Sequence, residues 1–128
     1  MSEANDSSHG RRAVINLTTG LGDPEKVLTA FLVGQAAAEQ GNDTLMFLTK
    51  EAVRLAIPGM AIGTACDGCP PLERLFEQYA QAGGKLLVCP ICWNSRRLQE
   101  SPLVDNAEIG GATPLWEWIG KGATVFSF

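Results

Sequence analysis

The chain has 128 residues, 45% of them hydrophobic and 19% charged, which is the size of one compact domain able to bury a core without covalent staples. A net charge of −4 and a pI near 4.9, with no run or face of Lys and Arg, exclude a nucleic-acid partner held through phosphate contacts. The opening "MSEANDSSHGRR" is polar and lacks the apolar stretch of a signal peptide. No later segment is long enough to span a bilayer, so a cytoplasmic protein without a membrane partner is expected.

In chain order, residues 1–12 read as a disordered polar tail, and the one histidine, His9, falls in it. Residues 13–128 read as a single domain. "AVINLTT" (Ala13 to Thr19) is an apolar, β-branched strand running into a turn at "GLGDP". Asp23 as N-cap and Pro24 at the first helical position start a helix to Gln40, with Val27, Ala30, Phe31, Gly34 and Ala38 at helical spacing. The glycines of "TTGLGDPE" do not make a dinucleotide fingerprint, because Glu25 stands where the third glycine belongs and two carboxylates would repel a pyrophosphate. "DTLMFLT" (Asp43 to Thr49) is a second strand, and "KEAVRLA" a short helix stopped by Pro58-Gly59.

Leu72, Leu75, Phe76 and Tyr79 predict a helix over Pro71 to Ala82, followed by the strand "KLLVC". "NAEIGG" is at most a short strand. Thr113-Pro114 caps a helix with Leu115, Trp118 and Ile119 on one face, and "ATVFSF" is the last strand. Trp93, Trp116 and Trp118 are read as core or subunit interface before pocket lining. Strands alternating with helices predict an α/β domain whose mostly parallel sheet is covered on both faces. In such a sheet, helices begin where strands end. The pairs Cys66/Cys69 and Cys89/Cys92, which are all the cysteines of the chain, therefore belong at the C-terminal edge, where open α/β sheets bind ligands.

Three chemistries fit these sulfurs. Cys89, at a strand-to-helix transition with Pro90 behind it, would have its thiolate stabilised by free backbone N–H groups, and Arg96 and Arg97 follow on. The bland alternative is a buried structural cysteine. A second chemistry is a zinc site of Cys66, Cys69, Cys89 and Cys92, whose spacing suits a four-cysteine cage, although the residues between the pairs read as a full helix and strand. The third is thioredoxin-like disulfide exchange at "CPIC", which normally sits on the first helix of its domain and here begins at residue 89.

From "AVINLTTGLGDPEKV" through "FLTKEAVRLA", "LLVCPICWNSRRL" and "AEIGGATPLWEWI" to "TVFSF", the sequence resembles the DsrE/DsrF-like family of small sulfur-relay-type proteins. The resemblance implies a three-layer α/β/α fold with about five strands, homo-oligomers such as trimers or hexamers, and a persulfide-carrying cysteine after the central strand, matched by Cys89. Val88, Cys89, Cys92 and Arg96 match the form V-C-x-x-C-x-x-x-R. Cys92 and the "CDGCPP" pair depart from the single-cysteine relay subunits, since a thiol beside a persulfide drives it to a disulfide with loss of sulfide.

The expected function is sulfur (persulfide) transfer or thiol redox chemistry, as a sulfur carrier, sulfurtransferase or thiol oxidoreductase with a sulfur donor or acceptor protein as partner. Cys89 is the nucleophile, Cys92 the resolving thiol, Arg96 a stabiliser of anionic sulfur, and Cys66 and Cys69 a supporting pair, with no cofactor. The alternative is a non-enzymatic binding module with the four-cysteine zinc site.

Overall fold

A computed structural model describes residues 11–65 and 67–128. Five parallel strands form one sheet in the order β4-β3-β2-β1-β5. β1 (Arg12–Leu17) leads into α1 (Pro24–Glu39), and β2 (Asp43–Leu48) into a 3-10 segment, Lys50–Ala56, and then α2 (Leu72–Gln81). β3 (Lys85–Val88) is followed by the six-residue α3 (Pro90–Ser95), and β4 (Ala107–Ile109) by α4 (Ala112–Ile119) and β5 (Thr124–Ser127).

The predicted alternation of strand and helix is present, with local differences. The Asp23 carboxylate accepts the Lys26 backbone N–H at 3.2 Å, and Pro24 occupies the first turn, as the capping chemistry requires. "KEAVRLA" is wound as 3-10 rather than α-helix. Seven residues between a strand and Pro58 leave little room for an i→i+4 ladder to develop, and 3-10 turns are the usual short connector. Thr113 does not cap α4; Gly111 does, with no side-chain cap bond, and Thr113 lies inside the first turn. β1 begins at Arg12, and the expected tail of residues 1–12 otherwise falls on 1–10, outside the described residues.

Alternation along the strands separates two faces. Ile15 and Leu17, Met46 and Leu48, and Leu86 and Val88 point to one side. There they meet Val27 and Phe31 of α1 and Leu72, Leu75 and Tyr79 of α2, in a core that Trp93 of α3 also joins. Phe31 packs tilted on Phe76 with ring centroids 5.3 Å apart, and edge-on to Tyr79 at 5.7 Å. The helices after β1, β2 and β3 share this face because each crossover steps the same way across the sheet.

The connection from β4 returns past all of these strands to lay β5 beside β1, so right-handed crossover places α4 on the other face. Trp118 of α4 lies there, its ring 5.8 Å from the Arg12 guanidinium. This third layer is thin, since α4 has no buried residue and β5 is exposed along its whole length, yet Val14, Leu45 and Leu87 on this side of the central strands are buried, as expected of a sheet covered on both faces.

Candidate functional site

The end of β3 sets the position of the thiol pair. The Cys89 N–H donates to the Leu48 carbonyl at 3.0 Å, which continues the β2–β3 pairing one residue past the strand proper. Pro90 then fixes the first helical φ, and the Cys89 carbonyl accepts the Trp93 N–H at 3.0 Å as the first helical bond. Cys89 is thus the N-cap of α3 and Cys92 stands three residues on, a spacing that puts both side chains on one side of the helix. Both are free cysteines and partly exposed.

Trp93 anchors this short helix, only 4% exposed in the core, so the ring expected in a core or interface is a core residue. Cys92 packs partly against the same core. Ile91, between the two cysteines, is 78% exposed. A short helix held by one buried tryptophan offers its first turn to solvent, with two thiols flanking an apolar side chain.

Arg96, expected to stabilise an anionic sulfur, is engaged elsewhere. Its Nε donates to the Glu51 carboxylate, and its Nη1 donates to the Cys92 carbonyl at 3.2 Å and lies 3.4 Å from the Ser95 hydroxyl. Glu51 also accepts from Arg54 Nε at 2.9 Å. The Arg96 bond first, and the Arg54 bond second, hold the Glu51 carboxyl below its ordinary range. A lowered carboxyl favours the folded state at neutral pH and loses that contribution as pH falls through its folded range. Its exposure to water keeps the effect small.

Glu51 was not singled out in the sequence. The only local sign of it is the i,i+3 spacing to Arg54, because its link to Arg96 spans 45 residues.

Of the other pair, Cys69 is disulfide-bonded where a supporting thiol was expected, and Cys66 lies outside the described residues. The loop carrying Cys69 closes where the Leu72 N–H donates to the Thr64 carbonyl at 2.9 Å, at the start of α2. Among the described residues no three His, Cys, Asp or Glu side chains are gathered as a metal ion would need, so Cys69, Cys89 and Cys92 do not converge as three ligands. Among the described residues no helix is long and apolar enough to cross a membrane.

A profile of the DsrE/DsrF-like family matches residues 12–128. The chain belongs to that family. Similarity to individual DsrE/DsrF-like and related proteins is distant. An uncharacterized protein of Methanocaldococcus jannaschii is 28% identical over 108 residues, which are 84% of this chain and 39% of that protein, so the chain spans about two fifths of that relative's length. Protein YchN of Escherichia coli is 24% identical over 70% of this chain and 74% of its own.

In three dimensions, the crystal structure of YchN superposes with a TM-score of 0.77 over 92% of this chain and 99% of that one, at 22% identity. A conserved protein of unknown function from Bacteroides thetaiotaomicron does so at 0.60 and 15% identity, covering 100% of this chain and 99% of its own. These structural likenesses establish the shared fold.

Proposed function

We propose that Cys89 and Cys92 form a sulfur-transfer dithiol that accepts a sulfane sulfur and releases it as sulfide. The observation that carries this reading is the placement of two free, partly exposed cysteines at the N-cap and third position of one helix, at the C-terminal edge of a parallel sheet. The Cys89 thiolate attacks the outer sulfur of a persulfide R–S–SH, giving Cys89–S–SH and the thiol R–SH. Cys92 then attacks the Cys89 sulfur, forming the Cys89–Cys92 disulfide and expelling hydrogen sulfide. A dithiol reductant returns the pair to its starting state. The donor's remaining thiol, or a protein that accepts sulfur before Cys92 closes on Cys89, is the exchange partner, and a reducing cytoplasm is the setting in which such a pair turns over.

The test is equilibration of the full chain with mixtures of reduced and oxidised glutathione, followed by peptide mapping. A Cys89–Cys92 disulfide that forms and reverses across the series supports the reading. A pair that stays reduced under the most oxidising mixture, or that carries only irreversible adducts, overturns it.

Assembly into a homo-oligomer, a trimer or hexamer before a dimer, is the second part of the reading and rests on a separate observation. Trp116 is 70% exposed on α4, and Val125 and Phe126 lie exposed on β5 at the edge of the sheet, apolar surface that a neighbouring subunit would cover. Charged substitution there, as in the pair Trp116→Glu and Phe126→Lys, is expected to convert the assembly to monomers in light scattering while circular dichroism is retained. A monomeric wild-type chain contradicts the claim outright.

A further inference from the structure

Two observations single out the ion pair between Glu51 and Arg96. Lys50 (φ 52°) and Arg97 (φ 58°) are the two non-glycine residues with positive φ among the described residues, and each is the chain neighbour of one member of the pair. Backbone held in that region costs of order 1 kcal/mol or more and persists where surrounding contacts over-determine it. The second observation is packing against the same segment. A Cβ on Gly20 would stand 2.9 Å from the Glu51 carbonyl oxygen, so the loop after β1 closes onto the residue that reaches for α3. Turns following β1, β2 and β3 thus meet at Glu51.

The chemistry follows from what Arg96 touches. Its guanidinium sits on the carbonyl of Cys92, within the thiol helix, and an uncompensated positive charge there would favour thiolate over thiol. Glu51 supplies the compensating charge. The other charged groups of this cluster are Arg54 on the same 3-10 segment and the flanking Lys50 and Arg97.

We propose that Glu51 is a positioning residue of the dithiol: it fixes Arg96 on the Cys92 carbonyl and cancels its charge, so the reactivity of Cys89 and Cys92 is set from the β2 side of the sheet. This rests on the dithiol reading above and names the residue that tunes it. Removing either member breaks the same contact but shifts the local charge in opposite directions, although Glu51 keeps Arg54 when Arg96 is lost. A merely structural clasp would respond alike to both losses, whereas a charge-setting one responds with opposite signs.

The experiment measures iodoacetamide labelling rates of Cys89 and Cys92, by peptide mass spectrometry, in full-length reduced wild type, Glu51→Gln, Arg96→Gln and the double variant. At about 10 mM salt, Glu51→Gln is expected to label roughly two- to fivefold faster and Arg96→Gln slower by a similar factor. The double variant is expected within about twofold of wild type, because it loses one charge of each sign and keeps the wild-type net charge. These differences shrink at about 0.5 M salt, where screening is short-ranged. Rates that move the same way in both single variants, or that do not move, overturn the proposal. Its failure is distinct from failure of the dithiol reading, because neutral alkylation needs no sulfur donor and no disulfide, and glutathione equilibration of wild type involves neither variant.

Discussion

With Cys92 replaced by serine, the protein exposed to a small-molecule persulfide is expected to hold one extra sulfur atom on Cys89 and to release little sulfide. With Cys89 replaced by serine, it is expected to hold none there, and sulfide release should fall by at least about 100-fold, since the attacking nucleophile is gone. The asymmetry follows from position. Cys89 caps α3 with no helical hydrogen bond tying down its side chain, whereas Cys92 packs partly against the core one turn further in. Intact-mass and peptide analysis of the two variants, with sulfide measured in parallel, reads both halves. Sulfide release unchanged by Cys89→Ser would remove Cys89 from the chemistry, and an adduct on Cys92 in that variant would reverse the two roles.

The largest loss of stability from a single methyl group is expected at Gly84. A Cβ there would run into Cε1 and Cζ of Tyr79. The ring has nowhere to move: it is fully buried, meets Phe31 edge-on, and its hydroxyl donates to the Lys85 carbonyl at 2.7 Å. Gly84 is held in turn by its N–H to the Tyr79 carbonyl at 2.9 Å, and by Asn106 Nδ2 donating to its own carbonyl at 2.9 Å. Overpacking a site fixed on both sides costs about 3 kcal/mol, at the upper end of the usual range. Gly84→Ala should therefore lower the thermal midpoint by roughly 10 °C.

Tyr79→Phe provides the scale. It deletes the hydroxyl, which burial keeps in its neutral, donating form, and should cost about 1 kcal/mol for the bond lost. Thermal and urea unfolding of both variants check the order. A Gly84→Ala protein as stable as wild type would mean that the β3 entry adjusts where the structure holds it fixed.

Features determined by local chemistry were readable in the sequence. Asp23-Pro24 announces a helix start through groups within three residues of one another, and the structure has that cap bond. The apolar run ending in Cys-Pro likewise marks a strand giving way to a helix, because proline favours the first helical position and forbids strand pairing beyond it.

Where two short-range solutions share a pattern, the sequence was silent. Lys50–Ala56 has the apolar spacing of an α-helix and is 3-10, and Thr113 is a good capping residue overtaken by a cap two positions earlier. Long-range relations were the least legible. Nothing near Glu51 points to Arg96, and Trp116 of α4 and the apolar residues of β5 predict burial in some core without saying that this chain leaves them exposed. Cys69 illustrates the same limit, since a C-x-x-C spacing is equally compatible with ligands, free thiols and the disulfide-bonded state of Cys69.

The central claim is that Cys89 and Cys92 act as thiols and not as half of a four-cysteine metal cage. The measurement that tests it most directly is metal analysis of the native chain purified under reducing conditions, combined with thiol titration before and after unfolding. The account predicts that Cys89 and Cys92 both titrate in the native protein with no stoichiometric zinc. Zinc bound at one ion per chain, retained until unfolding or strong chelation and masking both thiols until then, would contradict it and make the domain a metal-stabilised binding module.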